Sequence, residues 1–290
     1  MRLPALVVLA VLSVTSPFAL AQSVPAAVFT DPPADAAHPA KLTVLHIPTH
    51  GVLINGIVYQ PSGAGPHPTL VICHGFPGNE KNLDLAQAVR RAGWNAVTFN
   101  YRGSWGSPGA FRLVQNLEDA DAILAYLRDP ATSARLGIDT KHIAMAGHSM
   151  GGWVVAHTAA HDHGLIGAAL TSAADMGRLG ELPRDRLLAG AADSMESLSG
   201  VTAESVTDEL QAHAKEFRLE NAAAGLSQTP LLALTADDPY TADTDALVHA
   251  IQAKGGHKIT AMHVATDHSW SDHRITLESM VLTWLAGLPQ

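Results

Sequence analysis

From Lys41 onward the apolar residues fall into short unbroken runs, separated by longer stretches in which they recur every three or four positions. The short runs are "TLVICH" (69–74), "NAVTFNY" (95–101), "HIAMAG" (142–147), "IGAALTS" (166–172), "PLLALTA" (230–236) and "KITAMHVA" (258–265). Between them, helical periodicity occupies the neighbourhoods of 81–92, 115–129, 150–161, 241–254 and 272–286. Apolar runs of this length predict strands buried on both faces, and their alternation with amphipathic helices predicts a doubly wound, mostly parallel α/β sheet. Two earlier runs, "KLTVLHIP" and "GVLINGIVYQ", flank Thr49-His50 and predict a hairpin that opens the domain.

One interval breaks the alternation. More than fifty residues separate the run ending near Ser172 from the one starting near Pro230. Within them Val206, Leu210 and Phe217, with Ser205 and Asp208 as a capping signal, predict an amphipathic helix. The stretch 174–228 is therefore expected to be a helical cap over the carboxyl edge of the sheet, where open α/β sheets bind ligands. An ordinary surface excursion is the competing explanation.

Ahead of the sheet, residues 1–21 carry Arg2, the apolar run "LPALVVLAVLSV" and Ala19-Leu20-Ala21, the layout of a secretory signal cleaved after Ala21. Its apolar core, flanked by Pro4 and Pro17, is short for a spanning helix, so an uncleaved anchor is the weaker alternative and no stable membrane insertion is expected after cleavage. A periplasmic or secreted protein is expected. Residues 22–40 are rich in Pro and Ala without periodicity and are expected to be a flexible leader, followed by one domain over 41–290.

Composition agrees with a single globular domain: 290 residues, 47% hydrophobic and 16% charged. The formal charge is −9 without a basic block, which argues against a nucleic-acid partner. With Cys73 as the sole cysteine no intrachain disulfide can form, so stability must come from the core.

The chemistry concentrates at the predicted strand ends. Gly147-His148-Ser149-Met150-Gly151 follows an apolar strand and opens the apolar helix "GWVVAHTAA". That strand–turn–helix setting is what a nucleophilic serine on a sharp elbow requires, because side chains two positions either side of it would collide. The bland alternative is a serine capping a helix after a glycine turn. A serine hydroxyl needs a base, and an imidazole serves if a carboxylate fixes its tautomer. Asp237-Asp238-Pro239 follows "LLALTA" and Thr266-Asp267-His268 follows the last strand, which gives the order Ser149, Asp237, His268. Asp237 is chosen as the nearer to its strand end, with Asp238 left to solvent or to the helix that Pro239 begins. His268 is chosen over His263, inside the strand, and His273, at a helix start.

Acyl transfer also needs two donors for the oxyanion. The amide of Met150 is one, and "HGFPGN" after the third strand offers the amide of Phe76 as the other. Tyr101, Trp105 and His148 are candidates for the substrate pocket. Arg102, at a loop end, is expected to hold carbonyls. His157, His161 and His163 lie on or just past one helix, but no glutamate completes a zinc-binding pattern, and histidines suit a helix C-terminus in any case. No metal and no other cofactor is called for. Cys73 ends a buried strand and is expected to be a small hydrophobe, with His74 holding the turn that follows it.

Taken in order, "HGFPGN", "NYRGSWGSPG", "GHSMGG", "LTADDPYT" and "TDHSWSDHR" resemble the α/β-hydrolase superfamily, near serine aminopeptidases and acylaminoacyl- and prolyl-oligopeptidase-type hydrolases, across roughly residues 41–288. The resemblance implies an α/β-hydrolase fold, Ser149 as nucleophile, Asp237 and His268 as its partners, and Phe76 and Met150 as oxyanion donors. Dienelactone-hydrolase relatives carry cysteine at the elbow, where this chain has Ser149. No residue of the cap can be identified as an anchor for a substrate's amino terminus. The expected activity is thus a secreted serine esterase acting on a small-molecule ester. A serine peptidase acting on short peptides or acyl amides is the alternative, and a non-catalytic binding protein on the same fold comes third.

Overall fold

Val52–Gln60 (β2) folds back antiparallel on Lys41–Thr49 (β1) through His50 and Gly51, both at positive φ, which is the two-residue turn whose twist matches a hairpin. The turn thus sits one residue later than the Thr49-His50 expected. The computed structural model describes residues 24–289, and the expected signal segment at 1–21 lies outside them.

The remaining strands are β3 (His67–Cys73), β4 (Asn95–Phe99), β5 (Ile138–His148), β6 (Leu165–Thr171), β7 (Leu231–Thr235) and β8 (Ile259–His263). All eight form one sheet in the order β1-β2-β4-β3-β5-β6-β7-β8, antiparallel at β1/β2 and β2/β4 and parallel from β4 onward. Among the described residues ten α-helices accompany them: α1 (Leu83–Arg91), α2 (Leu113–Arg128), α3 (Pro130–Leu136), α4 (Met150–His161), α5 (Met176–Gly180), α6 (Arg184–Ala192), α7 (Ala203–Ala212), α8 (Ala223–Leu226), α9 (Thr241–Ala253) and α10 (Arg274–Ala286). The strand period of two divides the interior. Leu70 and Ile72 of β3 pack with α1 and α10, while Val71 and Cys73 pack with α2 and α4. Central strands buried on both faces are what the continuous apolar runs anticipated.

Helix α3 was not foreseen, although its signals are present. Asp129 caps it by accepting from Thr132 N at 2.9 Å, Pro130 occupies its first turn, and Gly137 closes it at φ 63°. Within the stretch expected to be a flexible leader, Ala26–Val28 forms a single 3-10 turn. Val28 is buried beside α1, and Arg91 donates to the carbonyls of Ala27 and Val28 at 2.5 and 2.9 Å.

The insertion between β6 and β7 is helical, comprising α5 to α8. Its capping box is Thr202 with Ser205, three residues ahead of the Ser205/Asp208 pair expected. Helix α7 stops at Ala212, so Phe217 is not on it. Its ring packs against Trp153 of α4 at 4.9 Å between centroids, and its carbonyl accepts from Trp153 Nε1 at 2.8 Å. The cap is thereby fastened to the helix that follows Ser149.

Candidate active site

Ser149 sits between β5 and α4 at φ 57°, ψ −123°, a conformation that a non-glycine residue adopts only when its surroundings enforce it. The enforcement is steric and polar. A Cβ on Gly147 would lie 2.1 Å from the Gly151 carbonyl oxygen, and one on Gly151 would lie 2.1 Å from that of Cys73. Ser149 N–H donates to Thr171 O at 3.0 Å, and its carbonyl accepts from Gly152 and Ala174 at 2.9 and 3.1 Å. Strand, helix and neighbouring strand therefore meet at backbone contact around this one residue.

The loop after β3 reaches the same point: a Cβ on Gly75 would lie 3.0 Å from that of Ser149. Its carbonyls on either side of Phe76 are both held. His74 Nδ1 donates to Gly75 O at 2.7 Å, and Trp105 Nε1 donates to Pro77 O at 2.8 Å. Because the peptide unit is planar, fixing the Gly75 carbonyl also fixes the direction of the Phe76 N–H at its other end. Burial pulls the His74 imidazole down to about 4, so it is neutral and its one N–H goes to this bond. Neither the Phe76 nor the Met150 N–H donates to a protein acceptor among the described residues, and both residues border the same cavity as Ser149.

His268 lies in the loop after β8, with Nδ1 2.9 Å from Asp238 Oδ2. The expected partner, Asp237, is elsewhere. It is 65% exposed and bonds His263 Nε2 at 3.0 Å, whereas the Asp238 side chain is 2% exposed. The reason is local: β7 ends at Thr235, and Asp238 N–H turns back onto the Ala236 carbonyl at 2.8 Å, swinging the second aspartate inward. Burial alone would raise the Asp238 carboxyl, but bonds from His268, the Ser172 hydroxyl and the Tyr240 amide hold it below the usual range. It is the ionised partner that a His268 imidazolium needs.

His148 connects the two halves. Its Nε2 donates to the His268 carbonyl at 2.7 Å, and the two rings lie 4.7 Å apart. Burial first, and then the neighbouring His268, lower its imidazole to about 4, so it stays neutral. The Tyr240 ring packs on His268 at 5.0 Å.

The cavity over Ser149 has a volume of about 200 Å³ and is apolar, with Phe76 and Leu113 from the sheet side and Met176, Leu187, Val206 and Leu210 from the cap. None of the three expected pocket residues lines it. Tyr101 is fully buried between Phe99 and His74, at 4.9 and 4.7 Å. His148 lies beneath His268. Trp105 borders a wider, polar cleft of about 660 Å³ that includes none of Ser149, Asp238 and His268. The cap residues were missed because no pattern in the chain says how an insertion docks. Arg102 does act structurally, gripping Asp119, Glu118 and the Gln115 carbonyl. Cys73 is buried, its thiol pushed up to about 12 by desolvation. His161 is engaged by the His157 carbonyl and Asp121.

The alpha/beta hydrolase family matches residues 70–281. An uncharacterized 31.7 kDa protein of the traX-finO intergenic region of Escherichia coli is 35% identical over 105 residues, 35% of this chain and 36% of that one. An uncharacterized protein of Mycobacterium tuberculosis is 28% identical over 178 residues, 59% of this chain and 62% of that one. The chain thus spans less than two thirds of either relative. Among solved structures, a thermostable carboxyl esterase from Bacillus coagulans superposes with TM-score 0.64 at 14% identity, covering 86% of this chain and 99% of that one. EstE1, a carboxylesterase from a metagenomic library, gives 0.63 at 20% identity, covering 91% and 92%. Dipeptidyl peptidase 4 of Porphyromonas gingivalis gives 0.61 at 17%, covering 87% of this chain and 36% of that one. At such identities these likenesses establish the shared fold.

Proposed function

We propose that this chain, which belongs to the alpha/beta hydrolase family, is a serine hydrolase that cleaves carboxylic esters through an acyl-enzyme on Ser149. The observation that carries the reading is the 2.9 Å bond of His268 to the buried Asp238, with the His268 loop tied to His148, the residue before a serine held at positive φ. With its Nδ1–H given to Asp238, His268 presents Nε2 as the base. It takes the Ser149 proton as Oγ attacks the ester carbonyl, and the Phe76 and Met150 amides receive the oxyanion. The imidazolium then protonates the departing alkoxide, leaving the acyl group on Ser149. Water, deprotonated in turn by His268, attacks this acyl group, and the proton returns to Ser149 as the carboxylic acid leaves.

An ester is favoured over a peptide by the cavity. Apart from Ser149, Arg186 and the Tyr240 phenol its lining is apolar, and it includes no carboxylate to receive a peptide's amino terminus. An acyl chain gains from such a lining, about 0.8 kcal/mol per buried methylene. The reading includes export, on the strength of residues 1–21, with a mature chain beginning at Gln22.

A fluorophosphonate probe tests the central claim, since it needs an activated serine and nothing from the acyl pocket. It is expected to label the wild type and to leave Ser149→Ala unlabelled. A wild type that resists labelling, or a Ser149→Ala protein that is labelled, sinks the proposal.

A further inference from the structure

Arg274 opens α10, the end of a helix where the backbone dipole disfavours a cation. What holds it there is a set of bonds to two separate loops. Its side chain is 21% exposed. Nε and Nη2 fork onto Asp84 Oδ2 and Oδ1 at 2.7 and 2.6 Å, and Nη2 also meets Asn82 Oδ1 at 2.9 Å. Nη1 donates to the Ser269 carbonyl at 3.1 Å. Asp84 lies in the first turn of α1 and Asn82 immediately precedes it, at the end of the loop that carries Phe76. Ser269 is the residue after His268. One guanidinium therefore joins the oxyanion loop to the loop of the base, across 190 residues of sequence.

On the base side this bond completes a series. The His268 carbonyl is taken by His148, the Ser269 carbonyl by Arg274, and Trp270 Nε1 donates to Ser172 Oγ at 3.2 Å. Three consecutive residues are gripped from three directions, which fences the backbone that aims the His268 ring. On the oxyanion side, Asn82 is at φ 54° and its N–H meets Glu80 Oε1 at 2.5 Å, so the loop is closed where Arg274 grips it. The planar fork suits this task in a way an ammonium does not, because Asp84 takes two parallel bonds while a third N–H remains for Ser269.

We propose that Arg274 is a positioning residue for the reaction proposed above: it sets the separation of the His268 loop from the Phe76 loop, so that base and oxyanion donor address the same transition state. The inference rests on that reading of Ser149 and His268. Displacement of about 1 Å at such a site costs on the order of 100-fold in rate. Binding of the acyl chain, which occurs in the cap cavity, involves none of Arg274's partners.

The test compares wild type with Arg274→Ala, Arg274→Lys and Asp84→Asn, using a p-nitrophenyl acyl ester and the fluorophosphonate probe, with thermal melts for each. Arg274→Ala and Arg274→Lys should lose 10- to 100-fold in kcat with KM within about threefold of wild type, and Asp84→Asn should lose at least fivefold. Millimolar guanidinium, but not ammonium, should restore part of the Arg274→Ala rate. Folded Arg274 variants with wild-type kcat, or with the loss confined to KM, overturn the proposal. If Arg274→Ala fails to fold, Arg274→Lys and Asp84→Asn decide by the same criteria. An inactive, unlabelled wild type defeats the serine-hydrolase reading itself, which separates the two failures.

Discussion

The Nδ1 of His268 and the Oδ2 of Asp238 lie 2.9 Å apart, while Asp237, adjacent in sequence, bonds His263 in the open. Asp238→Asn therefore leaves His268 with the wrong tautomer, and kcat should fall about 10³- to 10⁴-fold, the scale of such a loss in serine hydrolases. Asp237→Asn removes only a solvent-screened contact and should stay within about twofold of wild type. Steady-state kinetics on the two purified variants decide between the carboxylates. A severe loss on the Asp237 side, with Asp238→Asn active, reverses the assignment.

That pair also marks where the sequence stops being legible. The strands, the five helices between and after them, the serine elbow and the base loop are local patterns: apolar period, glycine placement and position at a strand end. Which of two neighbouring aspartates turns inward depends on bonds made only in the folded chain, among them Asp238 N–H to Ala236 O and Asp237 N–H to Thr266 O, that no propensity encodes. The cavity wall is similarly hidden. Met176, Leu187, Val206 and Leu210 read as amphipathic residues of an insertion, and only docking over Ser149 makes them a lining. Tyr101 sits at the right sheet edge by position, yet it fills the space between Phe99 and His74. Helix α3 is a different kind of omission, since Asp129-Pro130 and Gly137 announce it in the sequence.

Cys73 tests whether the motif "CHGFPG" contributes chemistry or scaffolding. Its thiol is fully buried and raised to about 12, and the thiolate is the reactive form. Iodoacetamide at neutral pH should leave the native protein unmodified by mass spectrometry and fully active, with alkylation appearing only on unfolding. Cys73→Ser should keep kcat within about threefold while losing roughly 1–3 kcal/mol of stability to a buried hydroxyl. Inactivation of the folded protein by iodoacetamide contradicts this.

Stability should fall on mild acidification. His74, His148 and His157 are lowered to about 4, chiefly by burial, against an ordinary 6.5. Between those values the unfolded chain binds protons that the folded one does not, so their contribution is complete above pH 6.5 and is lost as the pH drops toward 4. Glu278 opposes them. Burial, then the Asp84 charge, raises it to about 7 from 4.5, so its contribution is complete below pH 4.5 and is lost as the pH rises through 7. Together these four groups leave a net loss of about 3 kcal/mol from pH 6.5 to 5. Urea unfolding at the two pH values measures it directly. Glu278→Gln should be more stable than wild type above pH 7, and equal stability at pH 5 and 6.5 counts against the buried neutral histidines.

The cap cavity sets a limit on the acyl group. An apolar cavity of roughly 150 Å³ accepts benzene, so the 200 Å³ over Ser149 suits an acyl chain of roughly six to eight carbons. Along a series of p-nitrophenyl esters, kcat/KM should climb up to about fourfold per methylene while the chain still finds apolar lining, then fall once it outgrows the space. Gly190 of α6 borders the cavity, and a Cβ there meets nothing within 4 Å. Gly190→Leu should therefore fold without strain and fill part of the volume, moving the optimum about two carbons shorter while leaving kcat on an acetyl ester unchanged. A chain-length profile that is flat in both proteins places the acyl group outside this cavity, and the ester preference argued from its lining then loses its support.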